Sequence, residues 1–295
     1  MFSLYHLWGN VCAALCWVLF FTQTPASAQV ASNPSEETSL NSLQCFTNYT
    51  LVAECADIVY DESDLLLTTF TYADGAIYEG YINTNDEFIN KDTHVLSGRG
   101  TIFFKSGATY QGYFLNSERH GWGTHTYVDG SKYIGCWQRD LKHGKGGYTY
   151  GPQHTNANNI GAQYVGEWVK GDKHGHGEYF STQWQYCGGF EAGMFQGIGQ
   201  WLRHRDEAFF EGGFLHNVFS GHGRMTYGNG NTYVGEWWEG EKHGLGTFYD
   251  ASNAVTYSGG WKHDVMHGKG KMVFAADGFE MPGEWREGSL VRERR

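Results

Sequence analysis

Proline and charge are both scarce in this chain. Only 4 of its 295 residues are Pro, and Asp, Glu, Lys and Arg together make up 18%. So little proline argues against Pro-rich linkers, and the 42 Gly without matching Pro exclude a collagen-type helix. Few charges beside 40% hydrophobic residues exclude a charge-rich disordered chain. Basic residues are missing until Lys91, and acidic residues until Glu36. The net charge of −11 speaks against a nucleic-acid binder, whose affinity rests on neutralising phosphates. What is abundant is Gly together with 19 Tyr, 19 Phe and 11 Trp. That combination, poor in helix formers, argues against a helical bundle and suits a sheet with many turns.

The charge is unevenly placed. Residues 29–77 hold 8 acidic residues and no basic one, whereas residues 78–295 hold 24 acidic and 21 basic residues, a balance of −3. An acidic leader therefore precedes a nearly neutral body. Neither offers a polybasic patch for anionic lipid beyond the short end Arg292, Arg294 and Arg295. Lipid or membrane contact is left open, without support from charge.

The N-terminus reads as an export signal. An apolar run from Val11 to Phe21 ends in Ala26-Ser27-Ala28, the small-x-small pattern before a cleavage site. The n-region departs from the pattern in having only His6 where Lys or Arg is usual. Residues 1–28 are expected to be a signal peptide and Gln29 the mature start, in a secreted, periplasmic or lumenal protein. An uncleaved anchor is the alternative, although the run falls short of the roughly 18 apolar residues that a span requires. Asn48-Tyr49-Thr50 is an N-glycosylation sequon, relevant in a eukaryotic host. Cleavage leaves Cys45, Cys55, Cys136 and Cys187, of which Cys45 and Cys55 are expected to close a small loop in an oxidising compartment.

Self-comparison gives the main signal. Tyr233-Val-Gly235-Glu-Trp237, Gly240 and His243-Gly244-Leu-Gly246 are nearly duplicated by Tyr164-Val-Gly166-Glu-Trp168, Gly171 and His174-Gly175-His176-Gly177. Further copies begin at Tyr110, Tyr133, Tyr186, Phe210 and Tyr257, and degenerate ones at Tyr78 and Met281. The spacings are 22–24 residues except for 32 and 31, which mark insertions near residues 83–97 and 151–161. The array is expected to cover 65–295, as about eight repeats and a partial C-terminal one, after a leader or cap segment at 29–64.

The pattern Tyr-x-Gly-x-Trp-x-x-Gly-x-x-His-Gly-x-Gly over residues 78–288 resembles the MORN (membrane occupation and recognition nexus) repeat family. The resemblance implies a scaffold that docks partner segments or self-associates, with membrane attachment often proposed for such arrays. No kinase, methyltransferase or exchange-factor domain accompanies the repeats.

The residues support the same fold on their own. Tyr, Gly and Trp at i, i+2 and i+4 share one face of a strand, and Gly leaves bare backbone across which a ring can lie. Gly244, Gly246 and Phe248 do the same on the next strand, so each repeat is a β-hairpin. Asp74-Gly75, Asp129-Gly130, Asn229-Gly230 and Asp277-Gly278 supply the positive φ angles of tight turns. One hairpin cannot bury its rings, but stacked copies can. The fold class expected is all-β, an elongated, twisted, single-layer antiparallel sheet of stacked β-hairpin repeats.

Chemistry is hard to place on such a lattice. His120, His143, His174, His243 and His267 recur at one repeat position, about 10 Å apart from copy to copy, too far to share a metal ion. No nucleophile, zinc or phosphate-loop motif is present, and Glu167 and Glu236 read as a solvated strand face. No catalytic residue, metal or cofactor is expected. Cys136 and Cys187 face away from the Tyr/Trp side, roughly 20 Å apart, so they are not expected to pair with each other and read as free thiols or links to another chain. A single-layer sheet has no second layer over its rings, and an aromatic groove of that kind takes peptides or helices. The residues expected to bind a partner are Tyr164, Trp168, Tyr233, Trp237, Tyr257 and Trp261. A protein or peptide partner is the leading reading, with homodimerisation through the sheet edges as a second route. Glycan or lipid-headgroup binding on the same face, a membrane-associated adaptor and a bare structural spacer are the alternatives.

Overall fold

A computed structural model describes Cys55 and residues 65–84, 94–154, 156 and 159–293. All of them belong to the part of the chain from Leu43 to Arg295. The expected signal peptide, Cys45 and Asn48 lie outside the described residues. Among the described residues there are 19 strands and no α-helix. They form one sheet. Each strand pairs antiparallel with the next, from β1 (Leu65–Thr71) on β2 (Ile77–Asn83) to β18 (Glu280–Arg286) on β19 (Ser289–Glu293). The expected all-β sheet of stacked hairpins is what the chain adopts, and β1 and β19 are its outermost strands among the described residues.

One hairpin shows how the repeat works. β14 (Thr232–Trp238) pairs with β15 (Glu241–Asp250) so that Tyr233 faces Phe248 and Gly235 faces Gly246, after which the register shifts and Glu236 faces His243. Gly244 and Leu245 are therefore left over as a bulge, and Gly244 carries it at a left-handed φ of 55°, where glycine is favoured. The bulge frees the Leu245 N–H, which donates to Glu236 Oε1 at 2.9 Å. In the repeat that starts at Tyr164, the His176 N–H reaches Glu167 Oε1 at 3.4 Å. These two glutamates are thus bulge caps, where the sequence suggested only a solvated face.

The turns divide the labour differently from expectation. At the Asp-Gly and Asn-Gly turns between repeats only the glycine is left-handed, as at Gly75, Gly130, Gly230 and Gly278, whereas two other inter-repeat turns use Glu207 and Ala254. The residue before the glycine turns its side chain onto a backbone N–H, as Asp74 does for Ala76 at 2.9 Å and Asp129 for Ser131 at 2.9 Å. The turns with two left-handed residues lie within repeats, and four of them use no glycine: Asn116-Ser117, Arg139-Asp140, His216-Asn217 and His263-Asp264. The second residue of each is also a staple. Asp140 accepts from the Arg119 N–H, Asn217 from the Phe195 N–H and Asp264 from the Lys242 N–H, at 3.0, 2.8 and 3.0 Å. Each staple ties one repeat to its predecessor and satisfies a strand-end donor.

The cysteines require two corrections. Cys55 bonds to Cys136, with Cα atoms 5.5 Å apart across 81 positions of sequence. The expected Cys45–Cys55 loop is therefore not formed, and Cys136 is not a free thiol. Chain reach explains why the longer bridge is possible. Cys136 sits on β6 (Lys132–Gln138), five strands from β1 or about 24 Å at 4.8 Å per strand. The ten residues from Cys55 to Leu65 can extend about 33 Å. Cys187, fully buried on β10 (Trp184–Glu191), is also disulfide-bonded rather than free.

Candidate docking face

All the repeat tyrosines point to one face of the sheet and lie over the paired glycines. Their hydroxyls donate to the carbonyl three residues on: Tyr133 to Cys136 at 2.8 Å, Tyr164 to Glu167 at 2.8 Å and Tyr233 to Glu236 at 2.9 Å. In the full repeats that carry it, the Trp stands edge-on to its own Tyr and to the Tyr or Phe of the repeat before. Trp168 is 5.1 Å from Tyr164 at 89° and 5.3 Å from Tyr133 at 83°. Its Nε1–H donates back to the Gly146 carbonyl at 3.0 Å, and Trp261 does the same to Gly246 at 3.0 Å. Edge-to-face pairs of this kind are each worth about 0.5–1.5 kcal/mol beyond the area they bury. Buried indole N–H groups are satisfied at the same time.

This ladder is the core of the protein. Of the six residues expected to bind a partner, Tyr164, Trp168, Tyr233, Trp237, Tyr257 and Trp261, none is more than 7% exposed. The structure brings them together, but as the stack itself, with almost no surface left for a ligand. The available surface lies one row further out, on the second strand of each hairpin. Tyr148, Tyr179, Trp201, Phe248 and Met272 sit opposite the repeat aromatics in register, with Tyr150 and Phe274 two positions beyond. Tyr179 is buried, and the others are half-buried. The signal for this row was the aromatic that follows Gly-x-Gly, as in Gly244, Gly246 and Phe248.

A groove of about 730 Å³ lies near the C-terminal end of this face, lined by Phe248, Val255, Met272, Phe274, Trp261 and Lys242 among others. A second cavity, of about 310 Å³, lies between Lys142, Tyr148, Tyr150, Trp168 and Lys173.

Cations run along this face at the residue before the repeat histidine: Arg119, Lys142, Lys173 and Lys242. Each lies against rings. The Arg119 guanidinium is 4.3 Å from the Trp137 ring centre, Lys142 Nζ 4.2 Å from Trp168 and Lys173 Nζ 4.7 Å from Tyr179. Burial pulls Lys142 and Lys173 down to about 8, with the charge of Lys142 adding to the effect on Lys173. His125, which takes the outer-row place opposite Tyr110, is lowered to about 4 by burial and by the charges of Arg119 and Lys142. It is therefore a neutral member of the stack at neutral pH. Phe195 and Phe219 occupy the cation position in the middle repeats, stacked 3.8 Å from Tyr186 and 3.9 Å from Phe210.

Among the described residues no group of three or more His, Cys, Asp or Glu is placed to hold a metal ion.

The MORN repeat model matches seven segments of the chain: 110–132, 133–155, 164–184, 186–203, 210–232, 233–255 and 257–278. The chain belongs to the MORN repeat family. The MORN hairpin geometry continues beyond the matched segments. Tyr78 lies over Gly80 and Gly100 and donates to the Tyr81 carbonyl at 2.6 Å, and Trp285 stands edge-on to Tyr257 at 5.0 Å. No curated protein matches the sequence significantly. Among solved structures the array is similar to the TCP10 domain of Danio rerio CPAP in complex with a peptide of Danio rerio STIL. Identity is 7% and the TM-score 0.40, over 77% of this chain and 93% of that one. It is also similar to the SAS-4 (dCPAP) TCP domain of Drosophila melanogaster in complex with a proline-rich motif of Ana2 (dSTIL). There the identity is 8% and the TM-score 0.27, over 74% and 90% of the two chains.

Proposed function

We propose that this MORN protein is a non-catalytic scaffold that docks a segment of a partner protein along its ring face, in an oxidising compartment reached by export. One observation carries the docking reading. All 19 strands lie in a single layer, and no second layer of the described chain covers the half-buried apolar row of Phe248, Val255, Met272 and Phe274. Half-buried apolar surface of this kind, rimmed by polar and charged groups such as Lys242, Asp250 and Asn253, is what a partner segment covers. Oxidation of both Cys136 and Cys187 supports the export reading, because disulfides persist outside reducing compartments. In this reading residues 1–28 are removed, 29–64 form a leader and 65–295 form the docking array.

The test is proximity labelling from a C-terminal tag in the protein's own host, with the processed N-terminus read from the same sample. Val255 and Phe274 face each other across β16 (Val255–Lys262) and β17 (Val265–Phe274), outside the buried core. The Val255→Glu/Phe274→Glu variant is expected to melt normally and to lose the labelled partner, with at least about tenfold less enrichment. Unchanged enrichment in a folded variant would contradict docking on this face. An intact N-terminus with reducing-compartment neighbours would contradict export.

A further inference from the structure

We infer that the cavity between Lys142 and Lys173 is a receptor site for an external carboxylate, supplied by an acidic residue of the docked segment. The inference rests on the docking reading just given and is tested apart from it.

Four repeats differ in what they place at the same two positions. The cation before the repeat histidine and the second turn residue of the following hairpin are neighbours, because the turn N–H donates to the cation's own carbonyl. Asp140 donates to the Arg119 carbonyl at 3.1 Å, Asp264 to Lys242 at 3.1 Å, Gly171 to Lys142 at 2.9 Å and Gly193 to Lys173 at 2.9 Å. Where the turn residue is Asp, its carboxylate pairs with the cation: Arg119 with Asp140 at 2.8 Å and Lys242 with Asp264 at 3.6 Å. Where it is Gly, no carboxylate is supplied. Among the described residues Lys142 and Lys173 make no ion pair within 4 Å. Lys173 donates only to the Tyr150 hydroxyl, at 3.2 Å.

The two omissions fall on consecutive repeats and line one cavity with Tyr148, Tyr150 and Trp168. A Cβ at Gly171 or Gly193 would meet nothing within 4 Å, so the space that an aspartate side chain would take is open. Asp172 also lines the cavity and favours the charged form of Lys142, but one carboxylate outside ion-pair distance leaves two half-buried ammonium groups largely uncompensated. An incoming carboxylate would bond to both lysines in a partly desolvated, ring-walled site. Charge-assisted hydrogen bonds are strongest in such a site.

The full chain, with lysines labelled at 13Cε, is titrated with the probe acetyl-Tyr-Glu-Tyr-amide, with its Gln counterpart and with inorganic phosphate, while the Lys142 and Lys173 signals are followed by NMR. The Glu probe is expected to move both signals and to bind at least about tenfold more tightly than the Gln probe. Lys142→Met and Gly193→Asp, the latter supplying the missing carboxylate internally, are each expected to weaken it by about the same factor. Equal binding of the Glu and Gln probes, no shift at either lysine, or full binding by folded Lys142→Met would overturn the assignment. Phosphate binding as tightly as the Glu probe would also overturn it, in favour of a general anion site. The proximity-labelling result does not enter this readout, so either proposal can fail while the other stands.

Discussion

Replacing Gly166 with alanine is expected to destabilise the middle of the array by about 3 kcal/mol or more, the upper end of overpacking costs. Gly166 on β8 (Gln163–Val169) faces Gly177 on β9 (Asp172–Phe180), and the Tyr164 ring lies over both. A Cβ at Gly166 would fall 2.5 Å from the Tyr164 hydroxyl oxygen, 2.6 Å from the Gly177 Cα and 2.8 Å from the His176 carbonyl. Two of those three neighbours are backbone, which cannot step aside without parting the strands. The third belongs to a fully buried ring, wedged against Trp168 at 5.1 Å and Phe190 at 4.9 Å. Tyr164→Ala alone is expected to cost about 3–5 kcal/mol through the cavity it leaves. The double variant should cost less than the two single changes together, because one of the clashes goes with the ring. Urea unfolding together with hydrogen exchange of the β8 and β9 amides measures this. A Gly166→Ala protein within about 0.5 kcal/mol of the parent would contradict the idea that bare backbone under each ring is what the repeat glycine provides.

Removing the Cys55–Cys136 bridge as Cys55→Ser/Cys136→Ser is expected to cost about 4 kcal/mol, from the loop entropy of a ring this long. The bond closes 81 positions of sequence, and that ring contains β1 to β5 (Glu118–Thr126). Repeat arrays open from their ends, because each hairpin is held mainly by its neighbours. The loss should therefore concentrate in the N-terminal strands. Hydrogen exchange of β1–β5 should accelerate strongly, while strands beyond β10 should change little. Uniform acceleration along the array, or none, would contradict a clasp that acts on the N-terminal repeats. Serine at both positions avoids leaving one unpaired thiol, and Cys187 keeps its own bond in this experiment.

The repeat was legible because its glycines, rings and turn pairs each have a period and a local cause. Tyr-x-Gly-x-Trp sets one face of a strand, and His-Gly-x-Gly sets the bulge and the bare backbone opposite, so the antiparallel stack follows from spacing alone. The cysteine bridge was not legible. Pairing depends on where a segment before the first strand lies in space, and linear spacing favoured the nearer Cys45. The expected docking rings lie in the buried stack for a different reason. Tyr164 and Trp168 are the strongest members of the repeat, and a strongly repeated ring is one that every copy needs for its own core. The half-buried apolar surface belongs to less regular positions such as Tyr150, Val255 and Phe274, whose identity changes from copy to copy. The roles of Glu167, Glu236 and the Asp/Gly alternation at 140, 171, 193 and 264 also became readable only once register showed which backbone groups they face.

Site-specific photo-crosslinking in the native host tests the docking face most directly. A photoreactive residue is placed at Phe274, on the ring face, and in a separate protein at Val234, which is 50% exposed on the opposite face between Tyr233 and Gly235. Docking on the ring face predicts a discrete crosslinked partner from position 274 and none from position 234. A partner captured from position 234 alone, or equally from both positions, would contradict it.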